Sequence, residues 1–303
     1  MTQDTKKGDD GMAKAMEGES ARMLHLTIDG VSINVPAGTT VLEAARGMGE
    51  YVPTLCWHPN LTPANACRAC VVEIEGSRAL VSSCSRQAED GMVVKTKTER
   101  VHNARQVIAE LLTSTNNTAS AGDLQELVSH TAANTLRFAG GETWEQPLRD
   151  DNNLFVRNYD ACILCYRCVE ACGVDVQNTF AIAVAGRGFD AHIDTGFDRP
   201  LPESDCVFCG NCVEVCPTGA LLDKKEYELR QSGRWEEQDI TTTRTTCSYC
   251  GVGCELELHV MDNQVVKVTS PEDNPITHGM LCVKGRYGYE YVQVHEDITE
   301  PAP

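Results

Sequence analysis

Sixteen cysteines are the side chains in this sequence with the most chemistry to offer, and their positions sort them into four well-separated quartets. Cys56, Cys67, Cys70 and Cys84 come first, then Cys162, Cys165, Cys168 and Cys172. Cys206, Cys209, Cys212 and Cys216 follow, and Cys247, Cys250, Cys254 and Cys282 close the series. Four thiolates are the ligand set of one iron–sulfur cluster. The competing use is disulfides, which fits poorly. The start, MTQDTKKGDDGMAKAMEGESAR, has neither an apolar core nor a twin arginine, so the chain is expected in the cytoplasm, where thiols stay reduced.

The second and third quartets each read C-x2-C-x2-C-x3-C, and the third is followed by Pro217. This is the run of bacterial two-cluster ferredoxins, in which the fourth cysteine serves the other cube. The expected ligands are therefore Cys162, Cys165, Cys168 and Cys216 for one [4Fe–4S] cluster, and Cys206, Cys209, Cys212 and Cys172 for another. In this reading the fourth cysteine opens a helix that reaches the neighbouring cube, and two helical turns follow Cys172 and Cys216. Zinc is the alternative metal, since zinc ribbons also use paired C-x2-C, although they seldom place three cysteines as C-x2-C-x2-C.

These sites need elements to hold them. MLHLTIDG and VSINVPAG alternate like paired strands around Asp29-Gly30, and TTVLEAARGMG reads as a capped amphipathic helix. Strands near Met23 to Val35, Val71 to Ile74 and Met92 to Lys95 would complete a β-grasp sheet. The first quartet, C-x10-C-x2-C-x13-C, is not the plant ferredoxin spacing. Its stretch VPTLCWHPNLTPANACRACVVEIEG, with Cys84 later, resembles the amino-terminal [2Fe–2S] domain shared by the large iron–sulfur subunit of respiratory complex I and by NAD-linked hydrogenases and formate dehydrogenases. That resemblance implies a [2Fe–2S] cluster on Cys56, Cys67, Cys70 and Cys84.

The fourth quartet lies in TTCSYCGVGCELELHV and GMLCVKGRYGYEYV. These resemble the amino-terminal [4Fe–4S] domain of molybdenum or tungsten bis-pterin oxidoreductases, most closely formate dehydrogenases. The resemblance implies a third cube on Cys247, Cys250, Cys254 and Cys282, with Lys284 as the relay toward a partner's cofactor. From the residues alone, a solvated surface lysine is the simpler reading of Lys284. ELELHVMDNQVVKVTS alternates around Asp262-Asn263, which predicts a hairpin behind the cluster.

Two departures from these relatives stand out. Many bind a further cube through one histidine and three cysteines after a helix like VHNARQVIAELLTS; here no cysteine lies between Cys84 and Cys162, and His130 alone cannot hold a cube. The segment reads as a connector that has lost its metal. Relatives also continue into a pterin domain, whereas this sequence ends at Pro303, so the pterin body is expected on another polypeptide. No glycine-rich signature for flavin or nicotinamide is present, Gly186-Arg187-Gly188 having the wrong spacing.

The formal charge of −18 argues against nucleic acid or anionic lipid as a partner, and no stretch has the ~20 apolar residues of a membrane span. His58, beside Cys56, is read as a packing residue. The runs Glu236-Glu237 and Asp223-Lys224-Lys225-Glu226 are read as solvated faces.

The expected fold is α+β, a string of small iron–sulfur domains. It comprises a disordered tail (1–22), a β-grasp 2Fe-2S domain with its following helix (23–112) and a connector (113–157). A ferredoxin-like 2x[4Fe-4S] domain (158–227), a linker (228–243) and a small β-rich 4Fe-4S domain (244–303) complete it. No flavin, NAD or pterin is expected on this chain. The function implied is electron transfer between a pterin-bearing (Mo/W) formate dehydrogenase subunit and a flavin/NAD(P) subunit. The alternatives are the wire of a hydrogenase or of an electron-bifurcating oxidoreductase, and a metal-stabilised structural scaffold.

Overall fold

A computed structural model describes residues 22–115, 122–143 and 145–293, so the expected tail lies outside the described residues apart from Arg22. Helices and strands are mixed along the chain. Strands β1 (Met23–Ile28) and β2 (Val31–Pro36) form a hairpin. Its turn residues Asp29 and Gly30 both have positive φ, 49° and 85°, as a type I′ turn requires. Alternation on β1 buries Leu24, Leu26 and Ile28 against helix α1 (Val41–Gly47). Thr40 and Glu43 cap α1 reciprocally: the Glu43 amide donates to Thr40 Oγ1 at 3.2 Å, and the Thr40 amide to Glu43 Oε2 at 2.8 Å. Strands β3 (Val71–Ile74), β4 (Val81–Ser82) and β5 (Val93–Lys95) complete a five-stranded sheet of order β2-β1-β5-β3-β4, with β1 and β5 parallel.

Helix α2 (Glu99–Thr115) docks through the buried Arg105, which donates to the Val71 carbonyl at 2.9 Å. The expected connector holds a further helix, α3 (Gly122–Thr131), whose Leu124 and Leu127 are fully buried. Beyond it, β6 (Phe155–Arg157) pairs with β9 (Leu221–Asp223) around the two cysteine loops. Helix α4 (Arg167–Cys172), the hairpin β7 (Ala183–Ala185) and β8 (His192–Asp194), and helix α5 (Asn211–Glu214) lie between them.

Two expectations are corrected in this region. The short helices precede the fourth cysteine instead of following it. Tyr166 and Gly210 take left-handed backbone just after the second cysteine of each loop and turn the chain straight into α4 and α5. Cys172 and Cys216 therefore leave the far end of a helical turn. The run from Asp223 to Glu226 is not a solvated face: Asp223 and Glu226 are 5% and 3% exposed. It opens helix α6 (Lys224–Gln231), whose Glu226 pairs with Lys267 at 3.0 Å.

The last sheet is β10 (Thr241–Thr246), β11 (Glu255–Met261) and β12 (Gln264–Thr269) in sequential antiparallel order. Asp262 and Asn263, at φ 50° and 59°, make the expected turn. The end of α6 and the start of β10 occupy the two ends of the segment read as a linker. Alternation could not find β10, because all six of its residues are exposed. Helix α7 (Val283–Tyr287) follows Cys282. Among the described residues no helix is long and apolar enough to cross a membrane.

Candidate iron–sulfur centres

All four cysteines of the first quartet are buried, and their thiols lie within hydrogen-bonding reach of one another, Cys56 with Cys67 and Cys84, and Cys70 with Cys84. Left-handed backbone at Asn65 and Arg68 folds the loop around them. Asn65 Oδ1 lies 3.5 Å from Cys84 Sγ and accepts from Ser85 Oγ at 2.7 Å.

In the middle of the chain the quartets cross. Cys216 joins Cys162, Cys165 and Cys168 around one cavity, and Cys172 joins Cys206, Cys209 and Cys212 around another. The two loops are built alike. Leu164 and Phe208, at φ 50° and 55°, donate their amides to Cys162 Sγ and Cys206 Sγ, each at 3.4 Å. Cys172 Sγ in addition accepts the Ala181 amide at 3.2 Å and sits 3.3 Å from Thr179 Oγ1. Burial raises the Cys162 thiol to about 11 and the Cys165 thiol to about 12, with the Cys216 thiol adding to both. Thiols this desolvated ionise only when a cation takes up their charge.

The donor sets fit sulfur-ligated iron clusters: four thiols line each crossed cavity, and backbone amides already point at the sulfurs. Among the described residues no three His, Cys, Asp or Glu side chains close on a single metal ion. At the second crossed cavity a buried guanidinium, Arg157, has two nitrogens without a protein acceptor. Sequence reasoning missed Arg157, whose only local cue is its place five residues before Cys162.

The fourth quartet is more open. Cys247 is buried, but Cys250 and Cys282 are exposed, as is Lys284 on the first turn of α7. Gly253, at φ 70°, permits the tight loop before Cys254.

The sites are packed against one another. Cys56 and Cys67 share one apolar cluster with Ile163 and Cys165, sealed by Leu124 and Leu127 of α3. Between the second crossed quartet and the fourth, Arg286 is the joint. It is 1% exposed; its Nε donates to the Cys209 carbonyl at 3.1 Å, its Nη2 to Asn211 Oδ1 at 3.2 Å, and its Nη1 to Glu214. Asn211 Oδ1 also accepts the Leu281 amide at 3.0 Å, next to Cys282. Arg286 too was missed by the sequence reading, although it lies in the CVKGRYGYEY stretch that carried the resemblance. The polar partners of His58 are the Asn60 amide and Glu272. His58 is buried, accepts the Asn60 amide on Nδ1 at 3.2 Å, and reaches Glu272 with Nε2 at 3.2 Å.

Comparison with known proteins defines the class first. Residues 21–99 match the 2Fe-2S iron–sulfur cluster binding domain family, and residues 154–222 match the ferredoxin-like domain of NADH-quinone oxidoreductase subunit 3. Residues 240–294 match the molybdopterin oxidoreductase Fe4S4 domain. The chain is thus a multi-domain iron–sulfur protein.

Within that class it is similar to part of NADH-quinone oxidoreductase chains, of a NADP-reducing hydrogenase subunit and of putative formate dehydrogenases. It is 37% identical over 287 residues to the NADPH-Fe(3+) oxidoreductase subunit alpha of Geobacter sulfurreducens, covering 92% of this chain and 33% of that protein. To an NADH-quinone oxidoreductase chain of Rhizobium meliloti it is 33% identical over 298 residues, again 92% of this chain and 33% of the relative. It therefore spans about a third of the length of these relatives. A chain of the crystal structure of an NAD+-reducing [NiFe]-hydrogenase in the H2-reduced state superposes with a TM-score of 0.60 at 28% identity, covering 66% of this chain and 87% of that one.

Proposed function

We propose that this chain is the electron-relay part of an NAD(P)-linked oxidoreductase, carrying one [2Fe–2S] and three [4Fe–4S] clusters. Cys56, Cys67, Cys70 and Cys84 would hold the binuclear cluster. Cys162, Cys165, Cys168 and Cys216 would hold one cube, Cys206, Cys209, Cys212 and Cys172 the next, and Cys247, Cys250, Cys254 and Cys282 the last. Such clusters, when bound, exchange single electrons without moving atoms. The protein's part is to bind and space them: the amides of Leu164, Phe208 and Ala181 orient the sulfurs, Leu124 and Leu127 exclude water beside the binuclear site, and Arg286 joins the last two sites.

The single observation that carries this reading is the exchange of Cys172 and Cys216 between the two loops, each completing a cavity of four thiols. Zinc sites seldom space three cysteines as C-x2-C-x2-C, which favours iron–sulfur cubes over a zinc-stabilised scaffold. The shared apolar cluster around Cys56 and Cys165 supports a direct path past the connector, without the further cube that many relatives hold there.

The catalytic partner we propose is a pterin-bearing formate dehydrogenase subunit, with a flavin/NAD(P) subunit beside the binuclear end. The match of residues 240–294 to a molybdopterin oxidoreductase domain supports it, and the exposed Cys250, Cys282 and Lys284 offer that end to a partner. The hydrogenase likeness favours a second reading, in which the same relay serves a hydrogenase. The test is to purify the native complex, quantify iron, sulfide, molybdenum, tungsten and nickel, and record cluster EPR after adding formate or hydrogen. About 14 iron per chain is expected for the four clusters, with molybdenum or tungsten and formate-driven reduction for the first reading. Nickel or hydrogen-driven reduction selects the second, and a zinc-loaded, EPR-silent chain removes both.

A further inference from the structure

The cavity ringed by Cys172, Cys206, Cys209 and Cys212 is also lined by Arg157. This residue ends β6 and is 1% exposed. Its Nη2 donates to Asp151 Oδ2 at 2.6 Å, while Nε and Nη1 are buried without an acceptor. The Tyr159 ring, which lines the companion cavity, flanks the guanidinium with its centroid 5.9 Å away, and its hydroxyl lies near Arg157 without a well-formed hydrogen bond. Native proteins leave few buried donors unmade, and those that remain ask for an acceptor not supplied by the protein itself.

No guanidinium lines the companion cavity of Cys162, Cys165, Cys168 and Cys216, although Tyr159, whose hydroxyl is buried without a hydrogen bond, lines it. Apart from its cysteines its lining is aromatic and aliphatic, with Thr218 as the one hydroxyl-bearing aliphatic side chain. Arg167 lies near Cys165 but outside the lining; it faces Asp123 at 3.8 Å, and its Nε is buried without an acceptor. The two loops share their backbone form and the Leu164 and Phe208 amide-to-sulfur bonds, so the Arg157 guanidinium in the lining, with the Ala181 amide and Thr179 hydroxyl at Cys172, makes the polar difference between the cavities.

We propose that Arg157 donates Nε–H and Nη1–H to the sulfurs of the centre held by Cys172, Cys206, Cys209 and Cys212, making that centre the more readily reduced of the two ferredoxin-type cubes. This rests on the reading above that those four thiols hold a cluster. Reduction adds one negative charge, and hydrogen bonds and positive charge next to sulfur favour the reduced state. Arg157 is a positioning and tuning residue here: it is already protonated, so the added electron brings no proton with it. Electrons would then rest on the side of the pair that Arg286 joins to the terminal domain.

The experiment is an EPR-monitored redox titration of the full chain and its Arg157→Met variant, with iron and sulfide measured on both. The expected result is that one ferredoxin-type signal, the higher-potential one, becomes about tenfold harder to reduce relative to its companion, about 59 mV for a one-electron couple. The remaining midpoints stay in place. An iron-replete variant with unchanged midpoints, or with both ferredoxin-type midpoints lowered alike, overturns the proposal. Should Arg157→Met take up less iron, Asp151→Asn decides, because it keeps the guanidinium and removes its counter-charge. The same midpoint must then rise, and an unchanged one overturns the proposal. A wild-type chain with no cluster signal would instead remove the reading beneath it.

Discussion

Gly210 and Tyr166 occupy the same place in the two cysteine loops, both left-handed at φ 75° and 64°, yet only one of them has room for a side chain. A Cβ on Gly210 would run into the Tyr287 hydroxyl and into Arg286 Cδ. Tyr287 is fixed there by its hydrogen bond to Asp223 at 2.8 Å, and Arg286 is fully buried, so neither can retreat. Tyr166 shows that the backbone shape alone tolerates a side chain. Gly210→Ala is therefore expected to lower stability by about 1–3 kcal/mol through overpacking, measured by thermal unfolding of the iron-loaded chain. Tyr166→Ala should retain the loop, since that left-handed position already carries a Cβ.

Arg286 holds the junction with a charge that has left water. Removing it leaves Glu214 and Asn211 facing an empty space, and breaking a buried ion pair on one side costs about 3–5 kcal/mol. Arg286→Met should release the segment after Thr246 to limited proteolysis at temperatures where the native chain resists. Equal resistance would mean that the apolar contacts suffice.

The contact between His58 and Glu272 should depend on acid. The His58 hydrogen bond holds the Glu272 carboxyl below its usual value of 4.5. A depressed carboxylate stabilises the fold above its unfolded pKa, and that contribution is lost as pH falls through the lower folded value. Glu272 is 61% exposed, so the effect is at most ~1 kcal/mol. Hydrogen-exchange protection of the Asn60 amide should fall below pH 4.5 in the native chain and be low throughout in Glu272→Gln.

Crossed ligation makes a prediction that uncrossed ligation reverses. Cys172→Ser and Cys206→Ser lie in different motifs but should erase the same EPR signal, and Cys216→Ser should erase the one lost with Cys162→Ser. Each variant is expected to lose about four iron per chain.

Iron removal should unfold the molecule in part. The first sheet has a contiguous apolar core of Leu24, Leu26, Ile28, Val41, Leu42 and Val94. Around the crossed cavities, the cysteines themselves make up much of the packed cluster. Chelation is expected to leave β1, β2 and α1 protected from hydrogen exchange while α4, α5 and α7 lose protection, because metal binding there is also folding energy.

Much of the candidate site was legible in the sequence, since thiol spacing along a short loop is a local property. C-x2-C-x2-C-x3-C predicted which cysteines meet across the two loops, and alternation with paired turn residues placed β1, β2, β11 and β12. The expected helix at TTVLEAARGMG holds because its capping box is written in consecutive residues. What the sequence could not disclose depends on distant partners. β10 carries no alternating burial, α4 and α5 are too short to show a period, and the Asp223 to Glu226 run looks solvated until Lys267 and Tyr287 are folded onto it. The surroundings of Arg157 and Arg286 were decided only in three dimensions, because which carbonyls, carboxylates and cysteines a guanidinium meets depends on distant parts of the chain. Local spacing thus grouped the thiols, while tertiary packing chose the charges and contacts that distinguish one group from the next.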